Sequence, residues 1–112
     1  MRLADEVCEV CRLGAPQVEK EEAEVLLVEI PDWSIVVDQG VSQLQRVFGF
    51  SDFLAAMAFA NRVAELAESV GHHPALLVEW GSVKVSWWTH KIKGLHKTDF
   101  VMAARTDNVF RG

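Results

Sequence analysis

The chain alternates between segments whose apolar residues recur at helical spacing and segments whose residues favour strands. From residue 18 to 29, apolar side chains are spaced among glutamates in a pattern that predicts a short amphipathic helix. We expect Pro31 to stop this helix, because the residue before a proline avoids the α region. Residues 53–70 also follow the helical period, with Ser51 as the expected N-cap and Gly71 as the expected left-handed C-cap.

Two hairpins are predicted from runs of β-branched and aromatic residues on either side of short turns. The four strands are expected at residues 33–38, 41–48, 76–80 and 83–89. Gln39-Gly40 marks the first turn, and Gly81-Ser82 fits a two-residue type II′ turn in the second hairpin. That register would place Glu79 across from Lys84, which is a favourable pair of opposite charges.

A last helix is expected to begin at His96 or Thr98 and to run through Phe110. The order of elements is then α-β-β-α-β-β-α. It predicts an α+β fold in which three helices pack on one face of a four-stranded antiparallel sheet. Trp87 and Trp88 would point to opposite faces, so the helix-free face should keep apolar surface of the kind that marks an interface. We therefore expect self-association.

Length and charge restrict the class of protein. The 112 residues are expected to form one domain at 16–112, preceded by a mobile N-terminal arm at 1–15. The formal charge of −5 argues against a nucleic-acid partner, because binding to phosphates depends on clustered Lys and Arg. No apolar run is long enough to span a bilayer or to act as a secretion signal. We therefore expect no membrane association and a cytoplasmic location.

The arm contains a Cys-x-x-Cys pair, Cys8 and Cys11, which raises a metal or redox hypothesis. A structural zinc needs four ligands, and no second Cys or His pair has matching spacing. A thioredoxin-like role would need the pair just before a helix in a βαβ setting, which the predicted elements lack. We expect two reduced cysteines and no metal site.

Three histidines fall at the expected ends of elements. His72 and His73 follow the second helix, and His90 follows the fourth strand. Extending the register of the second hairpin would put His90 across from His73, although Pro74 should end the ladder earlier because it lacks an N–H. Free imidazole titrates near about 6.5, so histidines gathered at one site can transfer protons near neutral pH. The pattern predicts proton-transfer chemistry.

These histidines belong to a longer set of spaced motifs. The set comprises Ile30 to Trp33, Phe48 to Phe53, Ala58 to Ala64, Glu68, His72 to Pro74, Trp80, Thr89-His90, Gly94-Leu95 and Asp99-Phe100. Together the motifs resemble the pterin-4a-carbinolamine dehydratase family over roughly residues 26 to 107. The arm and His96 are the departures from the family pattern.

The resemblance implies the α+β fold predicted above, assembled as a homodimer or homotetramer. It implies dehydration of 4a-hydroxytetrahydrobiopterin to quinonoid dihydropterin, which recycles the pterin of an aromatic amino acid hydroxylase, with no metal or other cofactor. His72 and His90 would act as acid and base, with their order left open, and His73 would grip the pterin and aid proton transfer. Alanine at position 72 or 90 should abolish most activity with little loss of folding.

The resemblance gives four further residues a place at the pterin site, and each has a simpler structural alternative. Glu68 lies one helical turn before His72 and would orient it, or it is a solvated helix residue. Asp99 would bind a histidine or the pterin, or cap the last helix. Trp33 would line the pocket with its aromatic face, although core or interface packing is favoured. Pro74 is grouped with these pterin contacts.

His96 and the overall function keep alternatives of their own. His96 is expected to be a C-cap rather than a catalyst. The second functional hypothesis is a non-catalytic dimerisation, assembly or coactivator-type module on the same fold. A third is a protein that binds a pterin or molybdopterin without turnover. The histidine set favours the enzyme, because a scaffold alone does not need it.

Overall fold

The computed structural model describes residues 17–112, so the predicted arm with Cys8 and Cys11 lies outside the described residues. The elements are α1 (Lys20–Leu27), β1 (Ser34–Asp38), β2 (Val41–Gly49), α2 (Phe53–Val70), β3 (Ala75–Glu79), β4 (Ser82–Trp87) and α3 (Lys97–Arg111). The predicted α-β-β-α-β-β-α order is confirmed. Within this part of the chain, no helix is long and apolar enough to cross a bilayer.

The four strands form one antiparallel sheet in the order β1-β2-β4-β3. Alternation along β4 decides which face is covered: Val83, Val85 and Trp87 are buried, while Lys84 is only half-buried. Helix α2 packs against β3 and β4, and α3 packs against β2 and β4. The predicted α+β class is confirmed, and the core lies between this face and the helices.

Helix α1 is shorter than predicted. It begins at Lys20 after an extended Glu19 that makes no side-chain cap, and it ends at Leu27. Ala23 and Leu26 are buried and join the core cluster. The next residues form turns before Pro31, which agrees with the expected effect of that proline.

Both ends of α2 are fixed by their caps. The N-cap is Asp52, not Ser51 as predicted, and its carboxylate accepts a hydrogen bond of 2.7 Å from the amide of Ala55. At the other end Gly71 has φ of 69° and ψ of 25°, which confirms the predicted left-handed C-cap. This conformation turns the chain sharply just before the histidine pair.

The register predicted for the second hairpin is wrong. Glu79 pairs with Ser82, so Trp80-Gly81 form the turn, and Lys84 pairs with Leu77 rather than with Glu79. The observed pairing differs from the predicted one by two residues, so every side chain keeps its predicted face. The burial pattern could not distinguish these two registers, because side chains alternate with a period of two.

Candidate functional site

His72 is positioned by the end of α2. After Gly71 the amide of His72 donates to the carbonyl of Ala67 at 3.3 Å, which continues the C-cap. The imidazole lies against the indole of Trp87, with ring centroids 5.5 Å apart and planes 25° apart. His72 is only 4% exposed, so its ring is packed in the core although imidazole is an ionisable group.

Asp99 comes to His72 from the first turn of α3. Nε2 of His72 lies 2.6 Å from Oδ1 of Asp99, and Oδ2 accepts bonds from the Thr89 hydroxyl at 2.8 Å and the His96 amide at 2.9 Å. The carboxylate is fully buried. A carboxylate can only accept, so in the His72–Asp99 pair Nε2 carries the hydrogen, and in the neutral imidazole the lone pair then lies on Nδ1. The predicted alternatives for Asp99, a histidine partner and a helix cap, are both present.

Nδ1 of His72 differs from Nε2 in its surroundings. Within residues 17–112, no buried side-chain nitrogen or oxygen lacks a hydrogen-bond partner, and the bond described for this ring is made by Nε2. Nδ1 is therefore not completely buried, although the side chain as a whole is only 5% exposed. The geometry leaves Nδ1 without a described hydrogen bond, while Nε2 is held by a buried carboxylate.

His73 occupies a different environment from its neighbour. Its Nε2 lies 2.5 Å from Oε1 of Glu68, and both side chains are exposed, by 58% and 78%. Sequence reasoning joined Glu68 to His72, but the structure pairs it with His73, because His72 turns inward to Asp99. Pro74 is half-buried and is followed at once by β3.

His90 lies on the surface and stacks on Trp88, with ring centroids 4.5 Å apart and planes 25° apart. The β3–β4 pairing ends at Ala75 and Ser86, in agreement with the expected effect of Pro74, and its two-residue shift in register means that the sheet does not align His90 with His73. The structure connects His90 to His72 indirectly. Thr89, the residue before His90, donates to the carboxylate that holds His72.

Trp33 is a core residue. It is 4% exposed, packs edge-on against Phe48 with centroids 5.9 Å apart, and donates its indole N–H to Asp107 at 2.8 Å. The guanidinium of Arg46 reaches the same carboxylate oxygen at 2.7 Å. The contacts of Trp33 therefore agree with core packing, the alternative that the sequence favoured.

Sequence reasoning missed three residues that shape the site. Thr89 donates to Asp99 and Trp88 stacks on His90. Their sequence signals are the Thr89-His90 motif and the place of Trp88 two residues before His90. His96 is the N-cap of α3, not a C-cap as predicted. Its Nδ1 accepts from the Thr98 amide at 3.1 Å, and Asp99 closes the capping box.

Comparison with known proteins identifies the family. Residues 16–109 match the model of the family described as pterin 4 alpha carbinolamine dehydratase. A relative from Saccharophagus degradans is 61% identical over 98% of this chain and 97% of its own length. One from Marinobacter nauticus is 55% identical over 96% of this chain and 97% of its own. Both carry the provisional name pterin-4-alpha-carbinolamine dehydratase.

Two solved structures share the fold. A transcriptional coactivator/pterin dehydratase from Brucella melitensis is 28% identical, with a TM-score of 0.76 over 84% of this chain and 98% of its own. A pterin dehydratase-like protein identified as a RuBisCO assembly factor in the alpha-carboxysome is 22% identical. Its TM-score is 0.59, over 70% of this chain and 88% of its own, and it supports the fold alone. From the family match and the full-length relatives, the chain belongs to the pterin-4a-carbinolamine dehydratase family.

Proposed function

We propose that this protein dehydrates 4a-hydroxytetrahydrobiopterin to quinonoid dihydropterin by histidine acid/base catalysis. The single observation that carries the proposal is the buried pair of His72 and Asp99, which engages Nε2 of the imidazole and leaves Nδ1 not completely buried. Family membership supports the substrate class, because the family and the relatives reported above are named for the dehydration of pterin carbinolamines.

The reaction transfers two protons and involves no net oxidation or reduction. The bond between C4a and its hydroxyl breaks, and the departing oxygen takes a proton from a general acid to leave as water. The N5–H bond breaks, and its proton goes to a general base while its electron pair forms the new double bond to C4a. Proton transfer from a positioned side chain typically gives about 10²- to 10⁴-fold acceleration. This chemistry needs one acid, one base and a surface for a flat ring.

His72 is proposed as the base. Its Nδ1 would take the N5 proton, and the imidazolium would then be stabilised by Asp99, which already accepts from Nε2 at 2.6 Å. The carboxylate also fixes the tautomer before substrate arrives, because its other oxygen is held by Thr89 and the His96 amide. Asp99 is therefore proposed as a positioning residue.

His90 is proposed as the acid and His73 as a pterin contact. His90 is exposed and lies next to Thr89, which binds the same carboxylate as His72. His73 is paired with Glu68 at the surface, where its imidazole could form a hydrogen bond to a polar edge of the pterin. We further propose that the substrate comes from an aromatic amino acid hydroxylase, since such an enzyme leaves the 4a-hydroxylated pterin.

The decisive experiment follows the decay of carbinolamine absorbance by stopped flow in a hydroxylase reaction. Purified protein should accelerate the decay, and His90→Ala should lower the rate at least 100-fold, because the proposed acid is lost. Lys91→Ala is the matched control, since residue 91 is the exposed neighbour of His90. His72→Ala should be equally slow but also less stable. The sequence-based expectation of little folding loss does not suit a side chain buried against Trp87.

A wild-type protein that leaves the decay rate unchanged would contradict the proposed reaction. The competing function would then be a non-catalytic binding module. The names of the two structural neighbours indicate what such a module could do, since one is named as a coactivator and another as an assembly factor. An active wild type with a fully active His90→Ala variant would keep the reaction but remove the proposed acid.

We also propose that the protein forms homodimers or homotetramers. Exposed apolar side chains lie along the sheet, with Val37 at 66%, Val47 at 61% and Leu77 at 51% exposure. Burying them would remove apolar area from water, which favours association. Light scattering after size-exclusion chromatography should give at least twice the chain mass of 12.5 kDa. A mass of one chain at micromolar concentration would contradict this.

A further inference from the structure

Trp87 packs its indole against the imidazole of His72. It is the last residue of β4, its backbone pairs with Leu44 on β2, and its side chain is fully buried. The two ring centroids lie 5.5 Å apart, with an angle of 25° between the ring planes. The indole therefore covers one face of the ring that is proposed above as the base.

A hydrogen bond to α3 fixes the orientation of this indole. Nε1 of Trp87 donates to Oγ1 of Thr106 at 3.1 Å, and the Thr106 hydroxyl donates to the carbonyl of Met102 at 2.7 Å. A hydroxyl carries one hydrogen, so Thr106 can only accept from the indole once that hydrogen is given to Met102. Thr106 is fully buried, and the indole N–H depends on it because a buried tryptophan needs an acceptor.

Asp99 and Trp87 restrain different motions of His72. The carboxylate lies 2.6 Å from Nε2, which fixes the tautomer and one point of the ring. The torsion angle that sets the plane of a histidine ring has a broad range, so one hydrogen bond does not define that plane. The face of the indole supplies the second restraint, and the direction in which Nδ1 points follows from both.

Both restraints start from the same side of α3. Asp99 and Thr106 are seven residues apart, which is close to two turns of an α-helix. Asp99 contacts His72 directly, whereas Thr106 reaches the same imidazole through Trp87. One helix therefore holds the edge of the imidazole with one residue and its plane with another.

We infer that Thr106 and Trp87 are positioning residues that set the plane of the His72 imidazole and so align Nδ1 with the N5 hydrogen of the pterin. The inference rests on the proposed function, because it concerns the base of that reaction. Proton transfer depends on such alignment, and a misplacement of about 1 Å can cost roughly 10²-fold in rate. Thr106 acts on the reaction only through the indole.

A double-mutant cycle tests whether Thr106 acts through Trp87. Thr106→Val removes the acceptor but keeps the shape of the side chain, so kcat for carbinolamine dehydration should fall about 10-fold while KM changes less than about 2-fold. Thr106→Ser keeps the hydroxyl and should restore most of the wild-type kcat. Trp87→Phe has no N–H to orient, so adding Thr106→Val to it should change kcat less than about 2-fold further.

The double variant replaces both partners of the hydrogen bond with apolar side chains, which can be nearly neutral for stability. It keeps the test available if Thr106→Val alone does not fold, since its kcat should match that of Trp87→Phe. Effects of the two substitutions that multiply in the double variant would overturn the inference. They would show that Thr106 affects the reaction independently of the indole.

Asp107→Ala is the matched control. Asp107 follows Thr106 on α3 and also accepts from a buried indole, but that indole belongs to Trp33, which packs on Phe48. The control should lower the melting temperature at least as much as Thr106→Val and keep its kcat at temperatures where both proteins are folded. An equal loss of kcat in the control would overturn the inference, because a loosened α3 would then explain both results.

A measurement without substrate separates this inference from the proposed function. The ring current of an indole shifts the NMR signals of protons above its face, so the carbon-bound imidazole protons of His72 report the stack. In Thr106→Val these signals should move toward the positions of free imidazole, whereas in Thr106→Ser they should stay. Signals that move in a protein without dehydratase activity keep the positioning and remove the reaction. Unmoved signals in an active enzyme overturn the positioning and keep the reaction.

Discussion

Asp99 serves two structures at once. Its carboxylate closes the capping box at the start of α3 and also holds His72 and Thr89. Three donors converge on two oxygens in a fully buried place, and an acceptor-only group is the side chain that can satisfy all of them. Stability and the proposed chemistry therefore depend on the same atoms.

Asp99→Asn should lower stability and activity more than a substitution that changes only a helix cap. The amide replaces one acceptor oxygen with a donor, so a donor among His72, Thr89 and the His96 amide is left facing another donor. We expect a loss of about 1–3 kcal/mol in the free energy of unfolding and a fall of at least 100-fold in dehydration rate. Urea unfolding and the stopped-flow assay measure the two effects.

Asp52→Asn is the control for that substitution. Asp52 caps α2 through an exposed bond to Ala55, and asparagine is an equally good N-cap. It should keep full activity and lie within about 0.5 kcal/mol of wild type. An Asp99→Asn variant as active as this control would mean that Asp99 does not position His72.

At the scale of elements, the C-cap of α2 determines where the histidines go. Gly71 adopts a left-handed conformation, and His72 then turns into the core while His73 stays exposed. The cap is a local feature, yet it controls a contact between residues that are distant in sequence. Asp99 lies 27 residues beyond His72.

Gly71→Ala should disturb this arrangement. A side chain in the left-handed region costs about 1–2 kcal/mol, so unfolding stability should fall by that amount, and activity should drop as His72 shifts from Asp99. Gly49→Ala is the matched control, because an added Cβ there meets nothing within 4 Å and its φ is not positive. Chemical denaturation and the stopped-flow assay measure both variants. Equal stability of the two variants would contradict the cap's importance.

At the scale of the whole molecule, Asp107 on α3 forms hydrogen bonds with two separate parts of the chain. It accepts from the indole of Trp33, before β1, and from Arg46 on β2. Arg46 in turn lies over the ring of Phe48 at 4.3 Å and reaches Asp32 at 3.6 Å. This network closes the sheet against α3 at the end of the helix opposite Asp99.

Asp107→Ala should lower the free energy of unfolding by about 3 kcal/mol, because it leaves Trp33 and Arg46 without their buried acceptor. Asn108→Ala, the exposed neighbour on the same helix, should change it little. Below its melting temperature the Asp107 variant should keep its dehydration rate, since two helical turns separate residue 107 from residue 99. An unchanged melting temperature would contradict this account.

Much of the fold followed from local pattern. The spacing of apolar residues placed α2, and Gly71 marked its end, because capping depends on a few adjacent residues. Gln39-Gly40 likewise marked the β1–β2 turn. The second hairpin was placed correctly, but its register was not, since Trp80-Gly81 and Gly81-Ser82 leave the same side chains on the same faces. The histidine motif indicated the candidate site but not its bonds.

The sequence by itself determined the elements, their order and the residue types able to move protons, because these depend on periodicity and on each side chain's own chemistry. Only the tertiary structure decided that Asp99 holds His72, that Glu68 pairs with His73 and that His90 rests on Trp88. The first two pairings join residues from different elements or from opposite sides of a turn, whereas the third joins neighbours in the loop after β4. They are selected by how whole faces pack together and by the need to satisfy buried polar groups, which no local pattern encodes.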